Sequence, residues 1–441
     1  MVVEMTRAIH EAHLRRLVSM SKSVENLIIG GGAAGICMAH LLQDRDTLLL
    51  ESRRAIGGLC GTISWKDCLF DLGGHVLTTK HEDVLEFLRS YVPLHFQPRR
   101  AFVAHENQII RYPFQKYFTD LNQPRVVERC ENKDGQGRFP EPRHFGEYLV
   151  TTLGEGIYEE FAQPYNEKLW GKPLSRMSPE WGGERVAPRK DSPAASSKLD
   201  RLPLTSETMV GYPKVGGFST IFDTLAKPLK NIRTESAVKQ VDLERQQVET
   251  IHGEIFHYSR LISTIPLDIF ISMTQGLSEE VVRYADALEA VDLRIVLLKH
   301  DGRLPLDMHR LYVADKNVPP HKIVFPNTSS PFLAEMENHG IMAEVSEAQN
   351  SHLSNEELVR LLIDVLVAVG VLKAPTAITD STVMALPKAY PVQTHRKRQM
   401  LGSIRGELEQ HNVHLLGRFA EWDYINSDQV VKRALELASR L

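Results

Sequence analysis

Gly30-Gly31-Gly32-Ala33-Ala34-Gly35 and, further on, Glu51 are the residues whose types and spacing read most directly as chemistry. Glycines at the first, third and sixth positions fit G-x-G-x-x-G, with an acid about 20 residues later. Gly30 permits a tight turn, Gly32 leaves room for a pyrophosphate, and Gly35 lets a helix pack closely on a strand. Phosphate oxygens would meet free N–H groups at a helix start, where the dipole is positive. The Glu51 carboxylate can accept hydrogen bonds from both ribose hydroxyls. The supporting elements stand in the right order. Residues 24–29 read as a buried strand, 33–42 have helical apolar spacing, and 47–50 form a second apolar strand ending at Glu51.

The stretch after Glu51 separates FAD from a nicotinamide cofactor. Glu51-Ser52-Arg53-Arg54-Ala55-Ile56-Gly57-Gly58-Leu59 runs into a basic pair and a glycine doublet rather than into the next helix. This pattern resembles flavoproteins of the amine oxidase, protoporphyrinogen oxidase and UDP-galactopyranose mutase superfamily. The resemblance implies FAD, with Gly57-Gly58 close to its pyrophosphate and ribityl chain. It also implies that Asp71-Leu72-Gly73-Gly74-His75 lies beside the isoalloxazine ring. No His or Cys stands in a recognisable flavin-attachment motif, so non-covalent binding is expected.

The 441 residues allow two or three domains with ample core. A net charge of -4 and a pI near 6.5 argue against nucleic acid or an anionic membrane as the main partner. Cys37, Cys60, Cys68 and Cys130 lack zinc-site spacing, and no metal site is expected. Reduced thiols in a cytoplasmic protein are the simple reading. No apolar run reaches the roughly 20 residues of a membrane span. Residues 1–23 precede the first strand as an extension, with helical spacing over 5–20.

Further along, 81–91 reads as a helix and 99–111 as a hairpin around Glu106-Asn107. Residues 130–143 read as a surface loop, 145–170 as mainly helical, and 189–201 as a solvent loop or flexible linker. Residues 211–218 open a helix through 229. Strands are expected over 232–241, 247–251, 255–265, 285–298, 310–324, 340–345 and 413–418, and helices over 354–371 and 428–441. The fold class is α/β: a discontinuous Rossmann-type FAD-binding domain, a helical domain and an antiparallel β-sheet substrate domain. The FAD domain is expected over 24–90, 211–265 and 395–441, and the substrate region over 91–210 and 266–394.

Within the superfamily the chain looks like the UDP-galactopyranose mutases, nearer the eukaryotic-type sequences. The resemblance rests on separated stretches in order: Tyr112-Pro113-Phe114-Gln115; Pro164-Tyr165-Asn166 with Trp170; Trp181 and Glu184-Arg185-Val186-Ala187; Gly216-Gly217; Leu311-Tyr312; Phe325, Asn327 and Pro331; Glu344-Val345-Ser346; Tyr390-Pro391; and Gly417-Arg418-Phe419 with Trp422 and Tyr424. It implies a nucleotide-sugar substrate whose pyranose and furanose forms are interconverted through an adduct between sugar and reduced flavin N5. Arg185, Tyr390 and Tyr424 match diphosphate-binding positions, and Gln115, Asn166 and Trp170 other substrate positions. Cofactor contacts fall on Gly30, Gly32, Ala33, Ala34, Gly35, Glu51, Ser52, Gly58, Leu59, Gly74, His75, Val238, Gly417, Arg418, Asp428 and Gln429. His75 matches the residue whose backbone lies against flavin N5.

Two departures stand out. Where the family has a second diphosphate-binding arginine, this chain has Lys322, which keeps the charge but not the bidentate fork. The polar residue after the last tyrosine is Asn426 or Asp428. A nucleotide sugar other than UDP-galactopyranose fits equally well, and NAD(P)H is a candidate reductant. Taken singly, Tyr390 and Trp170 would pass as core aromatics and Arg185 as half of a surface ion pair. His321 reads as a surface or supporting residue rather than a base. Two rival functions share the N-terminal motifs: a redox flavoenzyme oxidising a small molecule, and a non-catalytic module like the GDP-dissociation inhibitors.

Overall fold

The computed structural model describes residues 21–187, 189 and 208–441. The helix expected over 5–20 and, Arg189 apart, the loop expected over 189–201 lie outside the described residues. The chain forms two compact units.

The first comprises Met1–Cys60, Ile221–Leu288 and Arg396–Leu441. Its central strand, Ser21–Ile29, pairs in parallel with Thr47–Leu50 on one side and Ile255–Ser263 on the other. It starts three residues before the apolar run, because Ser21, Lys22 and Ser23 are held in register with Ile255, Phe256 and His257. Ile232–Arg233 and Val413–Leu415 add parallel strands, while Gln247–Thr250 and Val238–Asp242 continue antiparallel. Leu27, Ile28, Leu49, Leu50, Leu261 and Ile262 are all buried, as a sheet covered on both faces requires. Helix Ala33–Leu41 follows the first strand, and Ser427–Ala438 packs on it. This is the expected Rossmann-type arrangement.

The second unit comprises Gly61–Thr220 and Glu289–His395. Its seven-stranded sheet runs in the order Ile378–Pro391, Ala290–His300, His339–Ser346, Lys322–Val324, Arg310–Val313, Ala101–His105, Gln108–Arg111. All pairings are antiparallel except that of Arg310–Val313 with Ala101–His105. Helix Asn355–Ala368 covers one face, seating Leu358, Leu362 and Leu366 against Val296, Leu298, Ile323, Ile341 and Ala343. A reciprocal capping box between Ser354 and Glu357 opens that helix. Helical segments Phe145–Leu153 and Gln163–Trp170 supply the expected helical part.

Several boundaries differ from the sequence reading. The strand expected over 310–324 is a hairpin, Arg310–Val313 against Lys322–Val324, because Pro319 and Pro320 cannot donate to a ladder. The strand expected from 285 begins at Ala290; Ser278 caps a helix, Glu279–Asp286, across its start. Residues 232–241 divide into two strands around Glu235, whose φ is +54°. Cys130 lies on helix Pro124–Glu131 and is fully buried, not in a surface loop. Strand Ile378–Pro391 and helix Lys397–Glu409 were not anticipated. Among the described residues no helix is long and apolar enough to cross a membrane.

Candidate active site

In the first unit the glycine signature forms a turn that side chains would block. Gly30 has φ +105°, and a Cβ there would lie 2.4 Å from Thr264 Oγ1. A Cβ on Gly35 would lie 1.8 Å from the Gly30 carbonyl oxygen. The Thr264 hydroxyl donates to the carbonyls of Ile29 (2.9 Å) and Gly30 (3.0 Å), fixing the turn to the neighbouring strand. Gly58 faces this turn: Gly57 N–H donates to Gly31 O at 2.8 Å, and a Cβ on Gly58 would lie 3.0 Å from Gly32 Cα. Two backbone stretches thus approach with no side chain between them. That cradle suits a pyrophosphate cofactor.

Glu51 is buried at the end of its strand. Its Oε2 accepts from Gly31 N–H at 2.6 Å, and its Oε1 from Arg53 N–H at 2.8 Å and the Ser52 hydroxyl at 3.2 Å. The carboxylate is therefore fixed in orientation by three donors. Leu59 sits in the short turn Gly58–Cys60, and Val238 begins strand Val238–Asp242. At the C-terminal end, Gly417 comes so near helix Ala33–Leu41 that a Cβ would lie 2.8 Å from Ala34 Cβ. Arg418 Nε donates to Ile425 O at 2.8 Å, and its guanidinium lies 5.2 Å from the Tyr424 ring centre. Asn426 and Gln429 form the capping box of helix Ser427–Ala438, with Asp428 buried in its first turn. The fold thus gathers Gly30, Gly32, Ala33, Ala34, Gly35, Glu51, Gly58 and Gly417 about one helix start.

In the second unit three of the remaining candidates, Lys322, Tyr390 and Gly74, meet at Glu344, a fully buried carboxylate in the strand His339–Ser346. Lys322 Nζ lies 2.7 Å from Oε1, the Tyr390 hydroxyl donates to Oε2, and His321 Nε2 lies 3.4 Å from Oε2. Gly74 N–H donates to Oε1 at 3.1 Å, and Arg310 Nη2 donates to Gly74 O at 2.6 Å. Gly74 is therefore held at both its N–H and its C=O. Asp71 anchors the same segment, accepting from Thr62 (2.6 Å), Tyr212 (2.7 Å) and Phe218 N–H (2.9 Å). The His75 ring stacks on Phe218, 5.1 Å between centres.

Two arginines, Arg99 and Arg310, join Lys322 around Tyr312, and Arg310 also acts on the buried carboxylate of Asp71. Arg99 is 1% exposed, donates to the Tyr312 hydroxyl at 2.5 Å and stacks over Tyr112 at 4.8 Å. Its Nε and Nη1, like Arg310 Nε, have no hydrogen-bond partner among the described residues. Burial pushes the Glu344 carboxyl up, but Lys322 and His321 outweigh it and hold the group well below the usual range. Burial also lowers His321, despite Glu344 beside it, and favours the neutral ring. Burial would raise the Tyr312 phenol, yet Arg99, Arg310 and Lys322 bring it down to about 8.

Trp170 is buried, its ring 5.1 Å from Trp181 and 6.3 Å from Tyr390. The Asn166 side chain donates back to Ala162 O at 2.7 Å. Gln115 Nε2 donates to Ala187 O at 2.6 Å, tethering the segment that carries Arg185; Arg185 itself is half-buried after the short helix Glu180–Glu184. His321 is 1% exposed, so the surface reading fails: the hairpin turns it inward beside Glu344. Arg99, Arg310 and the central role of Glu344 escaped the sequence reading. The available signal was a lone acid in the apolar run 340–345, which a buried strand tolerates only with partners.

A glycine cradle on a Rossmann-type sheet, accompanied by an antiparallel sheet with a buried charged cluster, defines a flavoenzyme of the mixed α/β class. The chain belongs to the flavin-containing amine oxidoreductase family, whose model matches residues 33–399. Its relatives include the UDP-galactopyranose mutase of Mycoplasma pneumoniae, 25% identical over 242 residues, or 50% of this chain and 57% of that protein. The dTDP-fucopyranose mutase of Escherichia coli is 26% identical over 249 residues, 52% of this chain and 61% of that one. The matches thus span less than two thirds of either relative. A reduced UDP-galactopyranose mutase structure superposes with a TM-score of 0.84 at 24% identity, over 95% of this chain and 93% of that one. A putrescine oxidase bound to putrescine gives 0.71 at 14% identity, over 95% and 99%. The fold is a UDP-galactopyranose mutase-like flavoprotein fold.

Proposed function

We propose that the protein is an FAD-dependent mutase that interconverts the pyranose and furanose forms of a nucleotide sugar. The observation that carries this reading is the charge of the second unit's cluster: three cations, Arg99, Arg310 and Lys322, against two buried carboxylates, Glu344 and Asp71, with guanidinium N–H groups left unpartnered among the described residues. Such a cluster favours a diphosphate and repels the protonated amine that an amine oxidase takes up. A leaving nucleotide diphosphate gains negative charge, which fixed cations stabilise.

FAD fits the cradle of Gly30, Gly32, Gly35 and Gly58, with Glu51 for its ribose, and the roles of Ala33, Ala34, Ser52, Leu59, Val238, Gly417, Arg418, Asp428 and Gln429 remain those of the resemblance. Reduced flavin would supply the nucleophile for the anomeric carbon. The chain's own residues do the rest. Arg185, Lys322, Tyr390 and Tyr424 bind and neutralise the diphosphate. Gln115, Asn166, Trp170 and Asn426 shape the nucleotide and sugar pocket. Glu344 holds Lys322, Tyr390 and the N–H of Gly74 in place. NAD(P)H is the proposed reductant.

The test is to incubate the dithionite-reduced protein with UDP-galactofuranose and a panel of other nucleotide sugars, separating pyranose from furanose products. Ring interconversion without net consumption of reductant is expected. Stoichiometric flavin reduction by an amine, with no ring interconversion, would make the protein an oxidase instead.

A further inference from the structure

Lys168 and Arg189 are buried cations outside the cluster around Glu344. Lys168, on helix Gln163–Trp170, is 4% exposed. Its Nζ donates to Val313 O at 3.0 Å, Val318 O at 2.7 Å and Asp315 O, with Pro320 O at 3.4 Å. All four carbonyls belong to the end of strand Arg310–Val313 and the turn 314–321 that leads into Lys322. That turn has few bonds of its own. Val318 N–H donates to Asp315 O at 3.2 Å, Asn317 N–H to Asp315 Oδ1 at 2.8 Å and Val313 N–H to His321 O at 3.1 Å, and Pro319 and Pro320 have no N–H to give.

An ordered, desolvated lysine carries a large entropic and solvation cost, and an apolar side chain would fill the same space without it. The ammonium has three protons, and the geometry gives each a carbonyl. Burial lowers Lys168 to about 7, with Asp315 opposing. The same helix carries Asn166 and Trp170, and the far end of the turn carries His321 and Lys322, the partners of Glu344.

We propose that Lys168 is a positioning residue: it latches the 314–321 turn onto helix Gln163–Trp170 and so sets Lys322 and His321 relative to the substrate residues on that helix. The link to turnover rests on the nucleotide-sugar reading above; the latch itself does not.

Two readouts keep these apart. Hydrogen exchange of the 313–322 amides, in FAD-loaded protein without substrate, reads the latch. In Lys168→Met these amides should exchange roughly tenfold faster, as expected for loss of a charge-assisted bond, while Glu82–Arg89 is unchanged. Lys168→Gln, which keeps two donors, should fall between. With reduced enzyme and UDP-galactofuranose, KM should rise with kcat largely retained, whereas simple destabilisation would lower the active fraction and leave KM alone. Turn amides that exchange as in the parent would overturn the proposal. Global unfolding of both variants would overturn it too, by assigning Lys168 to the core. A loosened turn in an enzyme with no nucleotide-sugar activity would leave the latch standing and remove the mutase reading.

Discussion

Glu344 reaches from the middle of a sheet strand to Gly74, accepting its N–H at 3.1 Å with the same oxygen that lies 2.7 Å from Lys322 Nζ. One carboxylate thereby couples a cation to the glycine turn before His75. Glu344 is fully buried and Lys322 mostly so, and removing one partner of a buried pair costs about 3–5 kcal/mol. Glu344→Gln should therefore lower the thermal midpoint sharply even without substrate, since it strands the Lys322 ammonium. Adding Lys322→Met should recover part of the loss. A double-mutant cycle in denaturant measures this coupling, and strictly additive effects would show that the two charges do not stabilise one another.

The glycine signature supports a sharper contrast. A methyl on Gly35 would sit 1.8 Å from the Gly30 carbonyl oxygen, and backbone there cannot swing aside. Gly35→Ala should yield protein that is colourless or insoluble. On Gly406, inside helix Lys397–Glu409, a methyl would meet nothing within 4 Å, and Gly406→Ala should stabilise by up to about 1 kcal/mol through helix propensity. Flavin absorbance per protein and the thermal midpoint check both. A yellow, normally stable Gly35→Ala protein would refute the tight turn.

Much of this was legible in the sequence because short-range rules govern it. Gly30 to Glu51 is a contiguous turn, helix and strand, and the Ser354 cap with Glu357 is written into neighbouring residues. What escaped depends on pairing across long separations. Ile378–Pro391 carries Pro387 and, at Lys388, φ +50°, which hide a strand from local pattern; it is held by Ala290–His300, with a register shift between Val291 and Leu293. The cluster escaped for the same reason, since Glu344 meets Gly74 and Lys322 only once the sheet is assembled. Arg99 gave no signal beside Arg100, one being buried against Tyr312 and the other paired to Asp307 at 2.6 Å.

Acid should destabilise the fold above the range in which carboxylates protonate. His309 is buried, accepting from Arg100 N–H at 3.1 Å through Nδ1 and lying 2.9 Å from Thr328 O through Nε2. Burial, with Arg100 and Arg310 nearby, lowers it from 6.5 to about 3. Between those values the unfolded chain binds the proton and the folded chain does not. The contribution is thus complete above 6.5, declines as pH falls towards 3, and changes no further below that. His309→Gln should reduce the slope of stability against pH by about one proton across that window, as read from denaturant midpoints at several pH values. An unchanged slope would mean that His309 titrates normally.

The diphosphate clamp separates Arg185 from Lys322. Arg185 is half-buried and lies outside the glycine cradle, so Arg185→Ala should leave flavin content and stability nearly intact. Losing a hydrogen bond to a charged group costs about 1.5–3 kcal/mol, so nucleotide-sugar affinity should fall roughly ten- to hundredfold. Lys322 differs because its ammonium is already committed to Glu344 at 2.7 Å and lies 3.5 Å from the Tyr390 hydroxyl. Lys322→Ala should lose affinity and stability together by leaving Glu344 an unpaired buried anion. Lys322→Arg has five donors in a planar fork; it can hold Glu344 and still present N–H groups to a diphosphate, so turnover of UDP-galactofuranose by the reduced enzyme should be kept or improved. Titrating UDP-galactose against flavin fluorescence in all three variants decides the matter. Parental affinity in both alanine variants would remove the clamp and leave oxidation of a small molecule as the leading activity.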